Sequence, residues 1–185
     1  MKKLFLITLI LFVLNPTNIF AKTDYPSNTN ICQILKYHPS WKKSLIKANN
    51  KYNISPAFTL AIIHQESKFH ANVKNSHSSA FGYAQALNGT WKVFQRDVEP
   101  NAKRNNFNDS VEFVDWYMAR LAHKLDIKAS DSFDLYLAYM LGEGGYRNYM
   151  DNPHKSSSML HREAIAAKVR LKSQVYNLEL EDCKI

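Results

Sequence analysis

The stretch YNISPAFTLAIIHQESKF, residues 52–69, contains a helix start, an apolar helix interior and a single carboxylate. Ser55-Pro56 places a capping residue before a proline at the first helical position, so we expect a helix from Pro56 to about Lys68. Its interior, AFTLAII, is apolar on nearly all sides, which is typical of a helix at the centre of a domain. The fold is therefore expected to be built around this helix.

The rest of the chain also shows helical periodicity. Apolar residues recur at helical spacing, and alternating strand-like runs are hard to find. The polar segment from His70 to Ala80 is expected to form an ordered loop, and loops of that length in compact domains are usually functional. Further helices are expected from Pro39 to about Asn50, around Trp91 and Phe94, from Asp109, where Glu112 completes a capping box, from Asp131-Ser132 to Gly142, and from near Ser158. The sequence predicts a single all-α domain.

The first 21 residues have the pattern of a secretory signal peptide. Lys2 and Lys3 precede the apolar run LFLITLILFVL, which is followed by Pro16 and a small residue at Ala21. The run is shorter than the about 20 residues that span a bilayer, although an uncleaved anchor remains an alternative. We expect a signal peptide at 1–21 and one mature domain at 22–185, periplasmic or secreted, with no stable membrane insertion after cleavage.

The chain is basic, with a formal net charge of +8. Such a charge favours an anionic partner, but a solvated basic surface explains it equally well. Nucleic acid is not expected as a partner because the chain carries an export signal. The histidines show no ligand spacing such as HExxH, so no metal and no other cofactor are expected.

Two cysteines, Cys32 and Cys183, lie near the two ends of the expected mature domain. In an oxidising compartment we expect them to form a disulfide that ties these ends together, with two free thiols as the alternative. Neither has a CxxC neighbour, which argues against redox catalysis and zinc binding.

Glu66 is the candidate catalytic residue. It shares a helix face with Ile62 and Ile63 and lies in the last turns of the helix, where the macrodipole disfavours a negative charge. Burial and the dipole both raise the pKa of a carboxyl group. A glutamic acid that stays protonated near neutral pH is what general-acid cleavage of a glycosidic bond requires. Glu66 is also the only acidic residue between Gln65 and Gln95, so a second catalytic carboxylate is not evident.

A spaced set of motifs resembles the soluble lytic transglycosylase domain, an α-helical lysozyme-like fold that cleaves peptidoglycan glycan strands. The elements are Glu66-Ser67-x-Phe69, Ser76, Ala80-x-Gly82 with Gln85 three residues later, and Ala138-Tyr139 before Gly142. The resemblance covers about residues 52–149, the expected catalytic core. The motifs GYAQ and EGGY are typical of a divergent branch. Ser79 stands where the family usually has glycine, and Met140-Leu141 replaces a more polar pair.

The resemblance implies a reaction with one acid. Glu66 would protonate the oxygen between N-acetylmuramic acid (MurNAc) and N-acetylglucosamine (GlcNAc). As a base it would then accept the C6 hydroxyl proton, giving a 1,6-anhydro end without water. The substrate contacts implied are Ser67, Ser76, Gln85 and Tyr139, with Tyr83 and Tyr146 as candidates for stacking on sugar rings. Local capping remains the alternative for the two serines, a surface amide for Gln85, and packing for the tyrosines.

Two other functions remain open. A goose-type-like lysozyme would use the same fold with an activated water, and a non-catalytic peptidoglycan-binding scaffold would keep the fold without the reaction. Glu66 and Gln85 favour an enzyme, whereas Met140-Leu141 beside Tyr139 favours the scaffold. The expected partner in each case is the peptidoglycan glycan strand. By family analogy, a secretion, conjugation or pilus apparatus is a further candidate partner.

Overall fold

The computed structural model describes residues 30–152 and 156–184, and the predicted signal peptide lies outside these residues. The described chain folds into seven helices: α1 (Ile31–Tyr37), α2 (Pro39–Tyr52), α3 (Pro56–Ser67), α4 (Asn88–Asp97), α5 (Phe107–Leu125), α6 (Ser132–Asp151) and α7 (Ser157–Glu181). Extended pairing within these ranges is limited to isolated bridges that Phe81 makes with Lys74 and Ala86. The all-α prediction is confirmed. No helix in the described part of the chain is both long and apolar enough to cross a membrane.

Helix α3 lies at the centre of the domain, as its composition predicts. Every residue from Ala57 to Ile63 is buried, and the helix packs against α2, α5 and α7. Burial of each large side chain, such as Phe58 or Ile62, stabilises the fold by roughly 1.5–3 kcal/mol. The helix ends at Ser67, where the next residue, Lys68, adopts a left-handed conformation. The carboxyl end of this central helix is therefore held in place by packing on several sides.

Helix α5 begins earlier than the capping-box pattern predicts. Asn106, and not Asp109, is the capping residue, since its Oδ1 accepts hydrogen bonds from the backbone N–H groups of Asn108 and Asp109 at 2.9 and 3.2 Å. The first helical residue, Phe107, is buried, and its ring stacks on that of Trp41 with 3.7 Å between the ring centroids. This contact explains the early start, because tertiary packing of Phe107 outweighs the local signal at Asp109.

Two other helix predictions need correction. Helix α1 precedes the helix predicted from Pro39, which is therefore the second one. Helix α6 does not end at Gly142. The chain kinks there (φ 71°, ψ 169°), a conformation open to glycine, and helical structure then continues to Asp151. The kink therefore lies at Gly142, directly after the apolar run FDLYLAYML that predicts the first part of the helix.

The predicted disulfide is confirmed. Cys32 in α1 is bonded to Cys183, just after α7, with 5.7 Å between their Cα atoms and a sequence separation of 151 residues. The backbone N–H of Ile31 also donates to Glu179 Oε2 at 2.6 Å. The described N-terminal helix is thus tied to the C-terminal helix, and α7 in turn packs on α3.

A buried carboxyl group, Asp115, connects α5 to α3 and gives a stability prediction. Asp115 is 1 % exposed; Oδ1 accepts a hydrogen bond from Thr59, while Oδ2 has no partner among the described residues. Burial, with a smaller contribution from the Glu112 charge, raises the pKa of Asp115 well above its usual range. Because the folded-state pKa is raised, the stability that Asp115 contributes is present at low pH and is lost as pH rises.

We therefore expect Asp115→Asn to gain stability relative to the parent as pH increases. The amide keeps the size of the acid and cannot ionise. The free energy of unfolding of both proteins, measured by denaturant titration between pH 5 and pH 9, should diverge in favour of the variant. A constant difference across this range would show that Asp115 ionises equally well in the folded and unfolded chain.

Candidate active site

Glu66 lies half-buried in the last turn of α3 and accepts a hydrogen bond from Tyr136 of α6. The Tyr136 hydroxyl donates to Glu66 Oε1 at 2.7 Å, and the Tyr136 side chain is 2 % exposed. Burial raises the pKa of Glu66 to about 7, while the Tyr136 hydrogen bond and the charge of Lys68 lower it in part. Within the described part of the chain, Lys68 is the charged residue that shifts the pKa of Glu66, and no second carboxylate contributes to this shift. Near neutral pH, this residue can therefore both give and accept a proton.

Three tyrosines form a layer behind the acid. Tyr139 stacks on Tyr136 with 6.0 Å between the ring centroids, and Tyr117 of α5 meets Tyr139 edge-on at 5.6 Å. The Tyr139 hydroxyl donates to the Ala84 carbonyl at 2.5 Å. The sequence motif points to Tyr139 as the hydroxyl near the acid. The charge of Glu66 does act on Tyr139 and, after burial, raises the pKa of its hydroxyl, but the hydroxyl that hydrogen-bonds to the acid is that of Tyr136. Tyr139 instead joins α6 to the loop that precedes α4.

That loop is closed by its own backbone and by the side chain of Gln85. The Gly82 N–H donates to the Val73 carbonyl at 2.9 Å. Gln85 has a positive φ of 46°, and its Nε2 donates to the carbonyls of Val73 and Gly82 at 3.0 and 2.9 Å. Its Oε1 accepts no hydrogen bond from the described residues. The Gln85 amide therefore fixes the loop through its Nε2 group, and its Oε1 is left without a partner among the described residues.

Arg104, which no sequence motif marks, clamps the outside of the same loop. Its Nη1 donates to the carbonyls of Ser79 and Ala86 at 2.8 and 2.9 Å. Its own backbone carbonyl accepts from the Tyr83 N–H at 3.1 Å and from Ser110 Oγ at 3.1 Å. One residue thus connects both ends of the loop to the start of α5, which positions the loop beside Tyr139.

The family model described as Transglycosylase SLT domain matches residues 5–183. The chain belongs to this family. The match confirms the resemblance seen in the sequence motifs and the lysozyme-like all-α fold class. No curated protein is significantly similar to the chain.

The other residues that the motifs single out occupy different positions in this SLT domain. Ser67 is buried and its hydroxyl donates to the Ile63 carbonyl at 3.1 Å, which is the local alternative for this residue. Ser76 is exposed on the loop. Tyr83 is half-buried and packs edge-on against Trp41 and Phe107, with centroid distances of 5.9 and 5.3 Å.

Tyr146 does not fit the role of a sugar-stacking residue. It is 4 % exposed, and its ring packs against Tyr149 at 5.9 Å. Burial and a hydrogen bond with Asp134 raise the pKa of its hydroxyl. A ring enclosed in this way has no free face for a sugar, so the stacking expectation for Tyr146 is wrong. Tyr146 and the contacts seen for Tyr83 agree with the alternative that these tyrosines pack within the domain.

Tyr136 is the residue at the acid of this SLT domain that no sequence motif marks. The segment LYLAYML contains two tyrosines three positions apart, and such a pair shares one face of a helix. The motif draws attention to the second tyrosine, Tyr139. The first lies one turn nearer the start of α6, and from there its hydroxyl reaches Glu66.

Proposed function

We propose that this SLT domain is a peptidoglycan lytic transglycosylase that cleaves the β-1,4 bond from MurNAc to GlcNAc and forms 1,6-anhydro-MurNAc ends. The observation that carries the proposal is Glu66, a single half-buried carboxyl group with a pKa of about 7 and a tyrosine donor on one oxygen. Ordinary glycosidases use two carboxylates about 5–10 Å apart. One acid is sufficient when the substrate supplies its own nucleophile.

In the first step, protonated Glu66 donates its proton to the glycosidic oxygen, the C1–O bond breaks, and GlcNAc leaves with a C4 hydroxyl. The N-acetyl oxygen of MurNAc stabilises the positive charge at C1. In the second step, the Glu66 carboxylate accepts the C6 hydroxyl proton, the C6 oxygen bonds to C1, and the N-acetyl oxygen is released. Glu66 is protonated again and no water is consumed. Tyr136 supports the intermediate because its hydroxyl donates to the carboxylate form.

Three further residues belong to the proposal with smaller roles. Gln85 offers Oε1 as an acceptor for a sugar hydroxyl or an N-acetyl N–H group, because its N–H groups are already held by the loop. Ser76 is an exposed hydroxyl on the same loop and can meet the strand at its edge. Tyr139 acts through the loop that it holds and not by contact with the sugar.

The location and partners follow from the substrate. Peptidoglycan lies outside the cytoplasmic membrane, so the proposal includes export by the predicted signal peptide to the periplasm or the medium. A small exported enzyme of this kind could open local gaps in the wall for a secretion, conjugation or pilus apparatus. That second role is part of the proposal on family analogy alone.

Product analysis tests the proposed reaction. The mature domain is incubated with purified peptidoglycan, and the released fragments are weighed by mass spectrometry. A lytic transglycosylase gives MurNAc ends that are lighter by one water molecule than the hydrolytic ends. Reducing MurNAc ends would identify a lysozyme, and no release at any pH would leave a binding scaffold.

The pH profile gives a second prediction. The acid must be protonated at the start, so kcat/KM should be constant below pH about 7 and fall about tenfold per pH unit above it. Tyr136→Phe removes a hydrogen bond that favours the carboxylate, so the falling limb should move to higher pH, with a lower kcat at every pH. Tyr117→Phe is the control, because the Tyr117 ring contacts Tyr139 and not the acid. An unmoved limb in Tyr136→Phe would show that Glu66 does not control this ionisation.

A further inference from the structure

Two lysines, Lys68 and Lys172, lie near each other where α3 meets α7, and Lys68 is also near Glu66. Lys68 follows α3 directly and is exposed. Lys68 and Phe69 both have positive φ angles, 53° and 63°, although neither is glycine. Consecutive left-handed residues are unfavourable for L-amino acids and tend to persist at functional sites. Lys68 is close enough to Glu66 for its charge to lower the pKa of the acid.

Helix α7 supplies the second lysine through a row of stacked rings. The Tyr176 hydroxyl is 2.6 Å from His64 Nδ1, and the His64 ring lies between Tyr176 and Phe69 at 6.0 and 5.2 Å. Lys172 Nζ lies 5.4 Å from the centroid of the Tyr176 ring. The α3 turn that bears Lys68 and the α7 turn that bears Lys172 are therefore fixed to each other by His64 and Tyr176.

Glu66 is the carboxylate whose charge acts on Lys68, and it raises the pKa of this lysine in part. Among the described residues, neither Lys68 nor Lys172 has a carboxylate within salt-bridge distance. Burial and the charge of Lys172 lower the pKa of Lys68, as expected for two cations held near each other. Burial and both lysines also lower the pKa of His64 to about 4, so the histidine stays neutral and does not add a third charge. A pair of like charges at a fixed position favours an anionic ligand.

We propose that Lys68 and Lys172 bind carboxylate groups of the stem peptides that hang from the MurNAc residues of the glycan strand. The inference rests on the proposed function, because it requires the strand to place its reacting bond at Glu66. The MurNAc ring whose C1 bond is cleaved carries its stem on a lactyl ether at C3, so a strand seated at Glu66 brings stem carboxylates near this edge of the site. Lysine ammonium groups bind carboxylates through charge-assisted hydrogen bonds.

The test measures affinity in the Glu66→Gln protein, so that the strands are not cleaved during the measurement. Two probes are titrated by calorimetry: soluble glycan strands with intact stems, and the same strands after an amidase has removed the stems. Added Lys68→Gln and Lys172→Gln should raise Kd for stem-bearing strands about tenfold, as expected when charge-assisted hydrogen bonds are lost at a partly exposed site. For stripped strands the change should stay below about twofold.

A matched control separates local from overall charge. Lys36→Gln with Lys43→Gln removes the same two charges from exposed positions on α1 and α2 and should not change either Kd. Lys68→Arg with Lys172→Arg keeps the charge and should restore binding. The proposal is overturned if the protein with Lys68→Gln and Lys172→Gln binds stem-bearing strands as tightly as the protein without these substitutions. It is also overturned if the two substitutions weaken binding of stripped strands by the same factor. A parent protein that forms no anhydro product would overturn the proposed function alone, because the binding difference does not depend on cleavage.

Discussion

Glu66→Gln should lower the rate of glycan cleavage by about a thousandfold or more while leaving strand binding intact. General acid–base catalysis contributes about 10²–10⁴-fold in rate, and here one group acts both as acid and as base. Glutamine keeps the shape and can still accept the hydrogen bond from Tyr136, which donates to Glu66 at 2.7 Å. The rate is measured as release of soluble fragments from purified peptidoglycan, and binding as cosedimentation with the insoluble wall.

The same variant also has a stability signature. The folded-state pKa of Glu66 is raised from 4.5 to about 7, so the stability associated with its protonated form is lost as pH rises through 7. Glutamine cannot ionise, and Glu66→Gln should therefore be at least as stable as the parent at pH 8. Loss of activity together with a lower unfolding temperature would point to misfolding, and retained cleavage would remove Glu66 from the mechanism.

Gly82→Ala is expected to have the largest effect on the loop beside the acid. Gly82 has a φ of +82°, and a Cβ at this position would overlap the backbone carbonyl of Arg104. The carbonyl cannot move aside freely, because it accepts hydrogen bonds from Tyr83 and Ser110. We expect a loss of about 2–4 kcal/mol in the free energy of unfolding, from the steric clash and the backbone strain together.

Gly89→Ala is the matched control for this substitution. Gly89 lies in α4, and a Cβ added at this position would meet no heavy atom within 4 Å. The free energy of unfolding of Gly89→Ala should therefore rise by about 0.5–1 kcal/mol, because alanine is the better helix former. Both variants are compared with the parent by urea titration and by cleavage rate. Equal stability of Gly82→Ala and the parent would mean that the loop is not clamped by Arg104.

The parts of the structure that the sequence predicts are those set by local composition. Helix α3 is predicted within one residue because a capping pair, a proline and an uninterrupted apolar interior all mark the same segment. The position of Glu66 at its end and the rise in its pKa follow from the same pattern, since burial is its main cause. The disulfide follows from cysteine count and compartment.

The parts that sequence reasoning misses depend on contacts between distant segments. Arg104 acts through carbonyls 18 and 25 residues away, and a backbone carbonyl carries no side-chain signal. The early start of α5 depends on the stacking of Phe107 on Trp41. Tyr136 meets Glu66 across 70 residues, and only the packing of α6 against α5 and α7 decides which of the two tyrosines reaches the acid.

In the proposed reaction one carboxyl group, Glu66, closes a 1,6-anhydro ring with an oxygen from the substrate itself. Digestion in water enriched in heavy oxygen tests this most directly, with the released MurNAc ends analysed by mass spectrometry. We expect anhydro ends with no solvent oxygen in the parent and no release in Glu66→Gln. Heavy oxygen at the new MurNAc ends would contradict the proposed reaction and identify a hydrolase.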